Sequence, residues 1–529
     1  MIFWISWILG ISGGCVMASR ALLHDYQLES YQLPGYFRTL KRTWERAVRP
    51  GLCLALCQLI PCLLFFAAGA TAWLAVIALL CPLTAGFLIM RKLRARKAKK
   101  PFGITARVKR LMGASAFVHA LLGILMLLLA PPALRAIMFT ALPAFLPLTT
   151  ALAGLAALPV EKGISEMYFR DAQRILKARP DLIRVGITGS YGKTSVKFIL
   201  GTLLSEHYQT LITPSSFNTP MGVTKVIRTR LTPSHEVFVA EMGARHVGDI
   251  RELCRLVHPR IGVLTSVGPQ HLVTFRTIER IRDTKYELVE ALPQDGTAVF
   301  SDDDGICLEL YEKTQKEKTL TGLHSQRDDV WAEDITVSPR GSRFTLCTRE
   351  ARVACETPLL GEHNIKNILL AAAVCLRLQM TLPEIARGIG KLRSVEHRLE
   401  LRSMAGGVTM IDDAFNSNPA GSRAALDVIA AFPPHRLIVT PGMVELGNEE
   451  KQFNRAFGEH MAQCVDTAIL VGPKHTAPIR EGLLAKGFPE NAIYTVKSLE
   501  EATAQLHKLL HRGDTVLFEN DLPDNYSEE

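Results

Sequence analysis

No two of the eleven cysteines stand in a C-x-x-C pair, which removes zinc-knuckle and dithiol redox sites from consideration. Five of the eleven precede residue 82 in apolar surroundings, where cysteine serves as a small hydrophobe and not as a disulfide frame. Acidic residues are missing from "RKLRARKAKKPFGITARVKR" at 91–110, whose ten basic residues equal the whole net charge of +10. A basic block between apolar runs is retained on the cytoplasmic side of a membrane. The charge excess therefore speaks for orientation and against a nucleic-acid partner. Ionisable side chains are nearly absent from the apolar runs themselves, His119 being the main exception. A permease needs intramembrane polar groups for its cargo, so this scarcity favours an anchor or a lipid-binding platform. His119 alone reads as a satisfied interior histidine.

What the chain does have is length and a division. Its 529 residues exceed one compact core,. Apolar runs occupy about 2–18, 51–90, 111–130 and 135–159. The second is twice the roughly 20 residues one spanning helix needs, so a hairpin near "AAGATA" at 67–72 splits it and predicts about five spans. The first run lacks a charged segment before it and a small-x-small cleavage site, which reads as a retained anchor. With five spans, the stretch 19–50 (six basic residues against three acidic) and the stretch 91–110 lie on the side of the C-terminal region. That side is the cytoplasm, with the N-terminus outside.

After residue 160 the pattern becomes that of a soluble α/β protein. "LIRVGITGSYGKTSVKFILGTLL" is an apolar strand, a glycine turn and a helix,. Amides of such a turn cradle phosphates, Lys193 reaches the terminal phosphates and the Thr194 hydroxyl can ligate magnesium. Gly189, Ser190, Gly192 and Ser195 complete the expected ATP loop. Because position 187 is Ile, the loop is T-G-x-x-G-K-T and not G-x-x-x-x-G-K-[ST].

That form resembles the Mur ligase family, the ATP-dependent amide ligases of cell-wall precursor synthesis. Further matches follow in the family's order: "SSFNTPMGV" at 215–223, "VFVAEMGARHVGDI" at 237–250, "VLTSVGPQHLVTF" at 263–275, "RDTKYELVEALPQDGTAVFSDDD" at 282–304, "GEHNIKNILLAAAVC" at 361–375, "EHRLE" at 396–400 and "IDDAFNSNPAGSRAAL" at 411–426. With "GMVELG" at 442–447, the resemblance is strongest toward the branch that joins D-alanyl-D-alanine to a UDP-N-acetylmuramoyl-tripeptide. The apolar runs predict a transmembrane helical region over 1–160, and the resemblance implies a P-loop α/β central domain over 161–395 and a smaller Rossmann-like α/β C-terminal domain over 396–529.

The resemblance also implies the site. One magnesium would be held by Thr194 and Glu241, and a second by His271 and Lys285 as a carbamate. Lys193, Lys285, His271 and Arg398 form the implied catalytic set, with Arg398 reaching the γ-phosphate or acyl phosphate. Asn364 and Asn367 would lie beside the nucleotide, Asp413 at the ribose, and Asn218, Thr219, Asn416 and Asn418 at substrate. Taken singly, Lys285 would be a solvated helix lysine and His271 a loop histidine. Their order relative to the P-loop raises both.

Several positions depart from the pattern. Ser301 and Asp302 stand where the family usually has Asn, Arg245 where this branch tends to have Asn, and "TPGMVELG" lacks the acid often found before its Met. Soluble members place a uridine-nucleotide-binding domain ahead of the P-loop, whereas here the apolar runs stand in its place. The expected function is a multi-pass cytoplasmic-membrane ligase with its catalytic domains in the cytoplasm, using ATP and magnesium. Its expected partners are a cell-wall precursor with a free carboxylate and an amino acid or dipeptide as the amine. Alternatives are a ligase building a poly-γ-glutamate-like polymer and an ATP-driven transporter.

Overall fold

The computed structural model describes residues 1–529 apart from 30, 94–101, 216, 303–304, 415–416, 445 and 522–529. Asn416, the middle of the basic run at 91–110, the glutamate of "GMVELG" and the acidic tail therefore lie outside the described residues. Residues Met1–Met167 form one compact unit and Tyr168–Glu529 a second.

Among the described residues four helices are long and apolar enough to cross a membrane: Trp44–Ala68, Ala72–Lys92, Ala106–Leu129 and Pro132–Lys177, the last of which continues past the first unit. The pair Ile2–Ala18 and Arg20–Leu28, bent by 48°, makes five if it is one span. The expected hairpin break falls between Ala68 and Ala72, where Gly69 takes a φ of 71° and ends the helix. The stretch 19–50, expected as a loop, is instead helical over Arg20–Leu28 and Leu33–Arg42, and the next span begins at Trp44. Tyr36 and Leu40, one turn apart, are buried while Arg38, Lys41 and Arg42 face out, so this basic stretch has an apolar stripe that packing can use.

Glycine sets the closest helix contact. A Cβ on Gly10 would fall 2.5 Å from the Ala78 carbonyl oxygen, and one on Gly14 2.5 Å from that of Pro82. Ile2–Ala18 can thus lie against Ala72–Leu93 backbone to backbone, the contact small residues allow between apolar helices. His119 is 1% exposed and its Nδ1 lies 2.7 Å from the Ser115 carbonyl oxygen. Its Nε2 and the Ser115 hydroxyl have no partner, so this histidine is interior but only half satisfied. The final helix, Leu146–Lys177, runs on past the expected domain boundary at 160.

The second unit carries two sheets. The larger contains β1 (Ile183–Thr188), β2 (Thr210–Ile212), β3 (Val237–Glu241), β4 (Ile261–Leu264), β5 (Thr297–Ser301), β6 (Glu317–Gly322), β7 (Val330–Ser338), β8 (Gly341–Thr348) and β9 (Arg352–Thr357). Their order is β2-β3-β1-β4-β5-β6-β7-β8-β9, parallel through β7 and antiparallel across β8 and β9. Successive residues of β3 serve opposite faces: Val237 and Val239 join the core under the helices Lys193–Leu204 and Glu362–Arg377, Phe238 and Ala240 the core on the other side. A strand covered on both faces reads as a continuous apolar run, which is what "VFVA" is.

The smaller sheet contains β10 (Glu400–Ser403), β11 (Thr409–Asp413), β12 (Arg436–Thr440), β13 (Thr467–Val471), β14 (Ile493–Val496) and β15 (Thr515–Glu519), in the order β10-β11-β15-β12-β13-β14. Only the β10–β11 pair is antiparallel. Parallel α/β sheets bind ligands outside the carboxyl ends of their strands. Those ends carry Thr188, Glu241 and Leu264 in the larger sheet, and Asp413, Thr440 and Glu519 in the smaller.

Candidate active site

The P-loop leaves β1 through Gly189 (φ 149°) and closes at Gly192 (φ 78°), the residue before the helix Lys193–Leu204. Left-handed backbone at Gly192 admits glycine at little steric cost, and a Cβ there would sit 2.7 Å from Asn367 Oδ1. The segment after β4 braces the loop. Ser190 donates its amide to the Ser266 carbonyl at 2.7 Å and its hydroxyl to the Gly268 carbonyl at 2.9 Å, while Tyr191 donates its amide to Ser266 Oγ at 2.9 Å. Ser190, expected at ATP, thus donates both its amide and its hydroxyl to the segment after β4. Lys193 folds back, its Nζ donating to the carbonyls of Gly189 (2.7 Å) and Ser190 (2.8 Å). Burial, aided by the Arg398 charge and opposed by Glu241, brings its ammonium down to about 8.

Glu241, at the end of β3, is 1% exposed and fully engaged. Oε1 accepts from Thr194 Oγ1 at 3.1 Å and Asn218 Nδ2 at 2.9 Å, and Oε2 from Lys197 Nζ at 2.9 Å. Burial pushes this carboxyl up, but Lys197, Lys193 and the hydrogen bonds outweigh it and hold the group below its ordinary value. An ionised carboxylate and a hydroxyl 3.1 Å apart fit a magnesium ion, whose octahedral edge is about 2.9 Å for bonds near 2.0–2.1 Å. Asn218, expected at substrate, here orients the metal-side glutamate.

Lys285, in the helix Ile278–Glu290, is 2% exposed. Burial, together with the Lys193 charge, drops it well below the usual lysine range despite Asp249, Glu241 and Glu287. The deprotonated amine is the form that captures carbon dioxide, so the chemistry of this position fits a carbamate. His271, with a left-handed φ of 54°, ends the same segment that braces the P-loop and precedes the short helix Leu272–Phe275.

Arg398 lies between two residues of positive φ, His397 (59°) and Leu399 (46°). Such strain persists where surrounding structure imposes it. Burial lowers its guanidinium, and Asp413 and Glu241 act against that. The side chain therefore feels carboxylates from both sheets. Asp413 Oδ1 accepts the Leu399 amide at 3.2 Å. Burial first, and the Glu519 charge second, push Asp413 up to about 8. Asn364 turns its amide to the Leu360 carbonyl at 2.8 Å. Thr219 and Asn418, expected at substrate, form N-caps: Thr219 Oγ1 accepts the Gly222 amide at 3.2 Å and Asn418 Oδ1 the Gly421 amide at 2.9 Å. Each precedes a proline at the first helical position, where a capping side chain is favoured.

Comparison with known proteins now decides the family. Residues 187–375 match the Mur ligase middle domain and 397–519 the Mur ligase glutamate ligase domain. The chain is 31% identical over 332 residues to UDP-N-acetylmuramoyl-tripeptide--D-alanyl-D-alanine ligase of Escherichia coli (strain K12), covering 62% of this chain and 73% of that one. It belongs to the Mur ligase family.

The corresponding ligase of Mycobacterium tuberculosis (strain ATCC 25618 / H37Rv) is 30% identical over 354 residues, which is 63% of this chain and 69% of that one. A crystal structure of MurF from Acinetobacter baumannii superposes with a TM-score of 0.62 at 26% identity, covering 69% of this chain and 78% of that one. The Thermotoga maritima MurF ligase in complex with ADP shares the fold, with a TM-score of 0.61 at 24% identity, covering 68% of this chain and 80% of that one. As a Mur ligase with MurF homologues, the chain is an ATP-dependent amide ligase of peptidoglycan synthesis.

Two residues of this Mur ligase escaped the reading of its sequence. Lys197 is fully buried at the metal-side glutamate and also donates to the Ser215 carbonyl. Its signal was its place among Val196, Ile199 and Leu200 on the buried face of the P-loop helix. Glu519 ends β15 at 1% exposure, accepting from Thr440 Oγ1 (2.6 Å), Ser422 Oγ (3.0 Å) and Ser417 Oγ. "VLFE" repeats the pattern of "FVAE", an apolar strand ending in glutamate.

Proposed function

We propose that this chain is a membrane-anchored ligase that adds D-alanyl-D-alanine to the free carboxylate of a cell-wall precursor presented at the cytoplasmic face of the membrane. The observation that carries the reading is the junction of Lys193, Thr194, Glu241 and the depressed amine of Lys285 at one strand edge, in a chain whose first unit consists of apolar helices. The N-terminus lies outside and residues 161–395 and 396–529 form the cytoplasmic central and C-terminal domains. Candidate membrane-spanning helices stand where soluble members place a uridine-nucleotide-binding domain, which supports a lipid-linked acceptor over a soluble nucleotide-linked one.

A carboxylate cannot expel its oxygen to an amine unaided. Its oxygen attacks the γ-phosphorus of ATP, ADP leaves, and the amine then displaces phosphate from the acyl phosphate. The protein's part is positioning and charge neutralisation. Lys193 leaves the carbonyls of Gly189 and Ser190 to meet the β and γ phosphates, and Arg398 meets the transferred phosphoryl group. Thr194 and Glu241 would hold one magnesium, His271 and carbamylated Lys285 another; when bound, the ions cancel repulsion between the two anions. Lys197 and Asn218 keep Glu241 ionised and aimed. Asn364, Asn367 and Asp413 line the nucleotide side.

Phosphate release from detergent-solubilised protein, with D-alanyl-D-alanine and either a lipid-linked or a UDP-linked acceptor, tests this. Turnover is expected only with both amine and acceptor, and faster with the lipid-linked one. ATP turnover indifferent to D-alanyl-D-alanine, or confined to the UDP-linked acceptor, would overturn the proposed amine or the proposed lipid-linked acceptor respectively.

A further inference from the structure

At the edge of the smaller sheet opposite Asp413 and Glu519, two strand-entry loops bring imidazoles to one carboxylate. His435 and Asp514 immediately precede Arg436 and Thr515, which are register partners in the parallel pair β12–β15. His511 sits three residues before Asp514 in the same loop. One nitrogen of each ring and one carboxylate oxygen of Asp514 lie within 4.8 Å of one another. His435 Nδ1 is 3.7 Å from Asp514 Oδ1 and His511 Nδ1 is 3.8 Å from Oδ2. Both gaps exceed a hydrogen bond. They approach the ligand–ligand edge of a tetrahedral zinc site, about 3.4 Å for bonds near 2.0–2.1 Å.

We propose that His435, His511 and Asp514 form a binding site for a divalent transition-metal ion, separate from the ATP site, in which water fills the fourth position. The donors are held by backbone ties, only one of which engages a side-chain oxygen of the site, Asp514 Oδ2. The Thr515 amide bonds the His435 carbonyl at 3.1 Å, the His435 amide bonds Asp466 Oδ2 at 3.0 Å, and the His511 amide bonds Asp514 Oδ2 at 2.7 Å. The rings stand edge to face, centroids 5.8 Å apart. Asp514 is 4% exposed while the two histidines are 69% and 71% exposed, so the carboxylate forms a fixed floor and the imidazoles an accessible mouth. His435 holds a left-handed φ of 74°, an outlier of the kind found at ligand clamps. Arg436, next to His435, is neutralised by Asp466 at 3.1 Å, and Arg512, next to His511, is exposed to solvent. Two imidazoles and one carboxylate select zinc-like ions over magnesium or calcium, which prefer all-oxygen sites.

The test uses untagged full-length protein in detergent, stripped with a chelator and titrated with zinc chloride against a chromogenic zinc indicator. One zinc per chain is expected, with affinity falling at least about tenfold in His511→Ala and in Asp514→Asn, since even outer partners of a metal site are worth 10–100-fold. His435→Asn tolerates the left-handed backbone and is expected to lose the ion while keeping its metal-free melting temperature. A second group of donors, Asp427, His460 and Cys464, supplies the control: His460→Ala is expected to bind as wild type. Absence of stoichiometric zinc, or equal zinc in the His435→Asn/His511→Ala double variant, or its loss in His460→Ala alone, overturns the assignment.

Discussion

Replacing Lys197 by methionine removes the ammonium facing Glu241 while keeping most of the aliphatic stem that packs in the P-loop helix. Both partners are out of water, at 0% and 1% exposure and 2.9 Å apart. The pair therefore lies outside the regime in which solvent reduces an ion pair to a few tenths of a kcal/mol. Removing one partner of a buried pair costs about 3–5 kcal/mol, because the remaining charge is left uncompensated. Glu241 keeps its bonds from Thr194 and Asn218, which places the expected loss at the lower end, about 3 kcal/mol. Glu241→Gln should cost a similar amount by stranding Lys197. The double variant should cost less than the sum of the two, with a coupling of about 1–3 kcal/mol. Urea unfolding of the four proteins, followed by Trp331 fluorescence after replacing the other four tryptophans by phenylalanine, reads the cycle. A loss below about 1 kcal/mol for Lys197→Met, with no coupling, would refute the reasoning, since the pair would then behave as if solvated.

Lys193→Ala should abolish ATP turnover, measured as phosphate release, because no other cation replaces it on the loop carbonyls. Lys285→Ala should lose ligation but keep nucleotide binding, and small carboxylic acids at high concentration should restore part of the rate; full activity in bicarbonate-free buffer would remove the carbamate. Asp413, raised to about 8 in the fold against roughly 3.9 unfolded, keeps its proton in the native state alone between those values. Stability should therefore fall as pH rises from about 4 to 8, and Asp413→Asn should flatten that slope in thermal melts. Reporter enzymes fused at residue 100 and at the C-terminus should report the same, cytoplasmic side.

Local pattern made the apolar and ligase halves legible. Long apolar runs and a glycine turn between strand and helix depend on neighbours in sequence, so the apolar helices, the hairpin break at 68–72 and the P-loop could be read directly. The ordered motifs likewise singled out Glu241, Lys285 and Arg398. Local pattern did not disclose the structural use of short polar side chains. Thr219 and Asn418 read as substrate contacts, yet the same residue types before proline are helix caps. Ser190 read as a phosphate ligand, yet it braces the loop because the 266–268 segment lies beside it.

By itself the sequence determined which segments are apolar enough to leave water, where the chain turns and which family it belongs to. Only the tertiary structure decided which charges meet. Lys197 and Glu241 are 44 residues apart, and Asp413 and Glu519 are brought together by the register of β11 and β15. The depression of Lys285 and the elevation of Asp413 likewise arise from burial among residues distant in sequence. Desolvation and Coulomb energy depend on separation and dielectric in space, and neither quantity is carried by a stretch of chain until parallel strands set their carboxyl ends side by side.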